Sequence, residues 1–247
     1  MSKIFKGSRK KLIEKGALNK YLKYASGEVI LTIISILLAI QINNWNQKRV
    51  DRNEVRTIIG NLSDEFEQNK VNLKSKIEIA NASLKTAKNL INLIGKSKAE
   101  LEKYNLDSLM ASSFQYKRFN PSEDVLNVLI ESGKLSLLKN DSIRDLLYTW
   151  SSNKISLHEH FEDLDDNMSK ILDYLTINYP LKNFDIYSHG DKTKGTNLKV
   201  DRYKIFEQLI FENNLENHIY YLSTYIKAMK ASGKIIDEII TFSEEYQ

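Results

Sequence analysis

Residues 29–42, VILTIISILLAIQI, constrain this chain more than any other stretch. The only polar residues in the run are Thr32, Ser35 and Gln41, and it carries no charge. A helix that is apolar all round must leave water, either into a protein core or into lipid. At a rise of about 1.5 Å per residue the run covers roughly 21 Å, short of a hydrocarbon core of about 30 Å. Extended to residues 24–45, it reaches across with Tyr24 and Trp45 at the two interfaces. Each Leu, Ile or Val contributes roughly −0.3 to −0.6 kcal/mol to insertion. Two alternatives compete: a buried helix of a soluble protein and a cleaved signal peptide. The second lacks a small-x-small cleavage site, because residues 41–49 are polar and bulky. An uncleaved signal anchor over residues 24–46 is the expectation.

The flanks set an orientation. Residues 1–28 carry eight basic and two acidic side chains, a net +6 within a whole-chain +4, so the remaining 219 residues carry −2. The basic excess before the span predicts a cytoplasmic head over residues 1–23. Residues 47–247 then form an extracytoplasmic domain. Because the basic charge belongs to the head, anionic lipid is its natural contact and no nucleic-acid partner is expected. Ile4, Phe5, Leu12, Ile13, Leu18, Tyr21 and Leu22 among the head lysines suit either a short amphipathic helix on the inner leaflet or a disordered basic tail.

The body reads as all-α. Two prolines and nine glycines leave few breaks in 247 residues. Ile59, Leu62, Phe66, Leu73, Ile77, Ala80, Leu84, Ala87, Ile91 and Ile94 step by threes and fours, with Asn69 in a gap position. They predict a helix over residues 48–94, continuous with the anchor and stopped at Gly95. A short helix is expected over residues 107–114. Asn120-Pro121-Ser122-Glu123 reads as a helix start capped by Asn120, with Val125, Leu126, Leu129 and Ile130 buried and Gly133 ending it. A coiled-coil-like stripe from Ile143 through Trp150, Leu157, Phe161, Leu164 and Met168 to Leu175 misses only at Lys154. Residues 180–200 read as a loop with an extended piece at 184–187. A last helix from Asp201 turns Ile205, Leu209 and Ile210 inward. It then carries Leu215, Ile219, Leu222, Ile226, Met229, Gly233, Ile236 and Ile240 on one seam, where Gly233 marks a close helix approach. The expected architecture is one transmembrane helix followed by an antiparallel bundle of three long helices and one or two short ones.

Tyr21-Leu22-Lys23-Tyr24-Ala25-Ser26-Gly27-Glu28, the apolar run, and Gln41-Ile42-Asn43-Asn44-Trp45-Asn46 resemble the anchor of a bacterial domain-of-unknown-function family, number 6090. The resemblance is close over about residues 20–50 and loose over 125–140. Ser26 stands where the family more often has Ile, and Ser35 where it has Gly. The resemblance implies a small single-span protein of Gram-negative bacteria, so that the span is expected in the inner membrane with the body periplasmic, and implies no activity, cofactor or catalytic residue.

Searches for chemistry return little. With no cysteine, disulfides, thiol catalysis and cysteine-held metals are excluded. Gly190 to Thr196 has the outline of a phosphate loop, but Thr196 stands where the lysine belongs. Asp163, Asp165 and Asn167 open like a calcium loop, yet Met168 and Tyr174 occupy the positions of its Gly and Glu. His158, Glu162 and Asp165 share a helix face, and a metal there needs His218 from another helix. The expectation is no metal, no cofactor and no enzymatic activity.

Two sets of residues remain as candidate contacts. On the anchor, Glu28 at the span edge and the small residues Gly27, Ser35 and Ala39 offer a face for a partner helix, with Trp45 at the far interface. In the body, Trp150, Tyr221 and Tyr225 are candidates for an aromatic groove. The expected function is a non-enzymatic, membrane-anchored interaction or scaffold protein, contacting the bilayer and either a protein partner or a second copy. The alternative is an extracytoplasmic ligand-sensing bundle that relays through a partner.

Overall fold

The computed structural model describes residues 18–138, 141–188 and 195–246. Most of the basic head, the Asn140 cap and most of the phosphate-loop lookalike lie outside the described residues. All regular structure among the described residues is helical. The chain divides into two compact units, Met1–Arg56 and Thr57–Gln247. Helix α1 (Leu18–Ile91) supplies residues to both.

In the first unit the apolar run is one uninterrupted stretch of α1. Its most apolar window has a mean hydropathy of 2.0, and none of that window is buried. Leu31 is 64% exposed and Leu37 53%. A core helix of a soluble protein would show the opposite, so α1 is a candidate membrane span. The hydroxyls in the run are satisfied within the helix. Thr32 Oγ1 donates to Glu28 O and Ser35 Oγ to Leu31 O, each at 2.8 Å. Neither carries an unmet donor into an apolar surrounding.

The second unit is a helical bundle. After α1 come α2 (Lys98–Leu101), α3 (Leu106–Ser113) and α4 (Asp124–Glu131). A 3₁₀ turn at Lys134–Leu137 leads into α5 (Asp141–Asn178). Then follow α6 (Lys182–Ser188), a 3₁₀ turn at Lys204–Glu207, and α7 (Leu209–Tyr246). Both predicted glycine stops hold. Gly95 at φ 74° donates to Phe206 O at 2.8 Å, and Gly133 has φ 70°. A left-handed backbone of this kind favours a residue without Cβ.

The three long helices pack around one core. Phe66 of α1 meets Trp150 of α5 edge-on at 5.2 Å. Further along, Leu90 of α1 shares a cluster with Ile171 and Leu175 of α5. In this unit α1 and α5 therefore run parallel. Against them, α7 runs antiparallel: Lys70 pairs with Asp237 at 2.9 Å, while Phe211 and Leu215 join the Leu90 cluster. Segment 92–140, with α2, α3 and α4, carries the chain back so that α5 can start beside the start of α1's core stripe. That return explains why more short helices form than expected.

Four local expectations change. Helix α4 begins at Asp124, not at Pro121, and Glu123 as its N-cap residue makes no side-chain cap. Its buried residues are Leu126 and Leu129, whereas Ile130 is 46% exposed. Residues 184–187 are helical, not extended. They lie in α6, where Phe184 packs on Tyr179 at 5.2 Å and the Tyr187 hydroxyl accepts from Asn105 Nδ2 at 2.8 Å. Leu209 and Ile210 are exposed, because Ile205, Phe206 and Phe211 take the inward positions around them. Gly233 faces α1 through a side chain: a Cβ there would stand 3.4 Å from Leu73 Cδ2, about an ordinary van der Waals contact.

Candidate functional site

The gap positions in the two stripes lead to the most elaborate part of the body. Asn69, where α1's stripe skips, is buried. Its Oδ1 accepts from Ser122 N and its Nδ2 donates to Ser122 O, both at 2.8 Å. One turn earlier, buried Glu65 accepts from Ser122 Oγ (3.0 Å), Val125 N (3.1 Å) and Leu126 N (3.4 Å). These amides are among the first in α4, which the macrodipole makes partly positive. Glu65 is thus the cap of α4, supplied from another helix.

Lys154, where α5's stripe skips, pairs with Glu123 Oε2. The other Glu123 oxygen accepts from Trp150 Nε1 at 2.8 Å. Glu123 is drawn to α5 and does not cap its own helix. Two polar interruptions in apolar stripes therefore hold one segment, residues 118–126, against α1 and α5.

That segment and α5 enclose a groove of about 240 Å³. Phe119, Phe161 and Tyr225 form its aromatic lining, with Pro121, Ile155 and Leu157 beside them. Arg118, Asn120, Lys154 and His158 supply its polar groups. Tyr225 is fully buried, and its ring meets Phe161 edge-on at 5.5 Å. Its hydroxyl accepts from Phe119 N (2.9 Å) and donates to Lys117 O (3.4 Å). Burial raises the phenol above its usual range, opposed by the Phe119 N–H and the nearby Arg118. The Arg118 guanidinium lies 5.3 Å from the centre of the Phe161 ring and 3.4 Å from Glu162 Oε1, and it touches His158.

Of the three body residues singled out in the sequence, only Tyr225 lines this groove. Trp150 is fully buried in the Phe66 and Glu123 contacts just described. Tyr221 is half-buried and packs edge-on against Tyr220 at 5.3 Å. Sequence reasoning missed Arg118, Phe119 and Glu65. The skipped positions Asn69 and Lys154 were the available signal, because a polar residue inside an apolar stripe needs a buried partner.

The anchor residues sit in the first unit. Gly27, Glu28 and Ser35 line a dent on α1 with Lys23, Tyr24, Leu31 and Thr32. Nothing lies within 4 Å of where a Gly27 Cβ would stand. Ala39, one turn beyond Ser35, is exposed. Trp45 is exposed too, with the Arg49 guanidinium 5.7 Å from its ring.

The residues considered for a metal are not brought together. His158 lies beside Arg118 and Glu162, and Asp165 accepts from the Tyr116 hydroxyl at 2.9 Å. His218 is fully buried against Phe114, its Nε2 3.0 Å from Ser113 O. The described residues contain no group of three or more His, Cys, Asp or Glu able to hold a metal. A separate buried acid, Asp107, accepts from Tyr179 and Arg202 at 2.7 Å each and ties α3 to the segment before α7.

The model of a family described as "Family of unknown function (DUF6090)" matches residues 28–177. No curated protein and no solved structure matches the chain.

Proposed function

The chain belongs to this family of unknown function, DUF6090, and from that premise we propose a non-enzymatic, membrane-anchored interaction or scaffold protein of the bacterial cell envelope. The observation that carries the reading is the exposed apolar band of α1 in a chain that also builds a full helical bundle. The buried polar groups described above serve the bundle's construction. Glu65 and Asn69 hold backbone, Glu123 and Asp107 hold side chains of other helices, and His218 holds a carbonyl. The anchor face at Gly27, Glu28, Ser35 and Ala39 gives a partner span or a second copy a place to approach. Crosslinking of the full-length protein in its native membrane tests this. Discrete crosslinked species are expected, and a strictly monomeric, partner-free protein overturns it.

In this reading the head is cytoplasmic and the body periplasmic, with the span in the inner membrane. The absence of native cysteine makes the topology directly measurable. In intact spheroplasts, a membrane-impermeant maleimide is expected to label Glu159→Cys and to spare Ser2→Cys. The reverse pattern inverts the assignment.

A second reading, ligand sensing through a partner protein, is favoured by the groove beside Arg118. It is a formed concavity with an aromatic lining and few polar groups, the usual character of a small-molecule site.

A further inference from the structure

The groove has a chemical bias that scaffolding leaves unused. Its ionisable lining groups, apart from the Tyr225 phenol, are two cations and a histidine: Arg118, Lys154 and His158. No carboxylate lines it. The acids nearest these cations differ in how firmly they are held. Glu123 is largely buried, with one oxygen on Trp150 and the other on Lys154. Glu162 is half-exposed and 3.4 Å from Arg118, a surface pair that contributes little to stability. Arg118 is also seated over the Phe161 face, which places its guanidinium at the edge of the aromatic lining.

We propose that this groove binds a small organic anion, a carboxylate carried on an aromatic or branched apolar body. The carboxylate replaces Glu162 at Arg118, where a guanidinium can hold both of its oxygens. The apolar body lies on Pro121, Ile155 and Phe161, with the buried rings of Phe119 and Tyr225 forming the floor beneath them. The Tyr225 hydroxyl takes no part in recognition, since Phe119 N and Lys117 O already occupy it. It fixes the groove's shape, and Arg118 supplies the selectivity. A volume of about 240 Å³ lies just under the usual range of small-molecule sites, roughly 300–1,000 Å³. A fragment-sized acid fits, whereas a nucleotide or an oligosaccharide exceeds it. This inference deepens the ligand-sensing reading and is independent of the scaffold reading.

The test uses the full-length protein in nanodiscs, with phenylacetate as probe and phenylacetamide as its neutral counterpart. Binding is followed by calorimetry or ligand-observed NMR against empty nanodiscs. Saturable phenylacetate binding is expected, with the amide weaker by roughly tenfold or more. Arg118→Gln is expected to lose a similar factor, Arg118→Lys to recover part of it, and Tyr220→Phe, outside the groove, to bind normally. Equal binding of acid and amide overturns the proposal. So does full affinity in folded Arg118→Gln, or a signal no greater than that of empty nanodiscs. Crosslinking the same samples with and without phenylacetate separates the readings. Binding that leaves the crosslinks unchanged keeps the anion site and removes sensing. Crosslinks without binding keep the scaffold and remove the anion site.

Discussion

Glu65 shows how one side chain can organise a segment far from it in sequence. It binds Ser122, Val125 and Leu126 from the middle of α1, and Asn69 grips the same segment one turn on. Glu65→Gln keeps the shape but loses the charge that holds two backbone amides. It is expected to lower stability by roughly 1–3 kcal/mol in urea titrations. The double variant with Asn69→Ala should lose less than the sum, because both grip one segment. His218 yields a prediction in pH. Burial pulls its pKa from 6.5 down to about 4, against a smaller rise from the Ser113 carbonyl. Its Nε2 faces that carbonyl, while Nδ1 is buried without a partner. The unfolded chain therefore binds a proton that the folded chain refuses between pH 6.5 and 4. Stability from this residue is complete above pH 6.5 and declines as pH falls, by about 3 kcal/mol near pH 4. His218→Gln keeps a donor for Ser113 and cannot titrate. Its urea midpoint should fall less steeply than that of the wild type across this window.

At the level of the helix, α1 makes two different demands on its surroundings. Around residues 29–42 every face is exposed and apolar, and the Thr32 and Ser35 hydroxyls are turned back on their own backbone. Leu37→Arg places a charge in the middle of that run and opposes insertion by about 3–4 kcal/mol. Fractionation should then show protein lost from the membrane pellet, and full retention would separate attachment from this helix. Past residue 57 the same helix is one-sided, and that stripe was largely legible in the sequence. Ile59, Leu62, Phe66, Leu73, Ala80 and Ala87 are buried as their spacing predicts. Where the reading slipped, polar chemistry was the cause. Ser83 and Leu90 are buried more deeply than the half-buried Leu84 and Ile91, and Ser83 gives its hydroxyl to Ser113 O at 2.7 Å. A helix keeps its period, but a satisfied serine inside it looks like surface to a hydrophobic pattern. The same blindness concealed α4's true start. Asn120-Pro121 has the local chemistry of a cap, yet the cap came from Glu65, about sixty residues earlier.

For the whole molecule, helical class and number of long helices could be read from periodicity, and their mutual directions could not. Direction is set by segment 92–138, which is held by partners distant in sequence such as Glu65 and Tyr225. The groove was legible only through Tyr225, since Arg118 and Phe119 sit in an irregular stretch with no period to betray them. The order of the helices also governs biosynthesis. Helix α1 is made well before its antiparallel partner α7. At about 5–20 residues per second, roughly 10–30 s pass between the emergence of Leu90 and that of the end of α7. Throughout that interval the α1 stripe has only part of its native cover. A chain cut before residue 209 leaves that cover incomplete for good. Such products are expected to be cleared by proteolysis, visible as loss of the truncated band on immunoblots after translation is stopped. Nonsense mutations upstream of α7 should therefore behave as complete losses of the protein, because α7 closes a core that α1 begins.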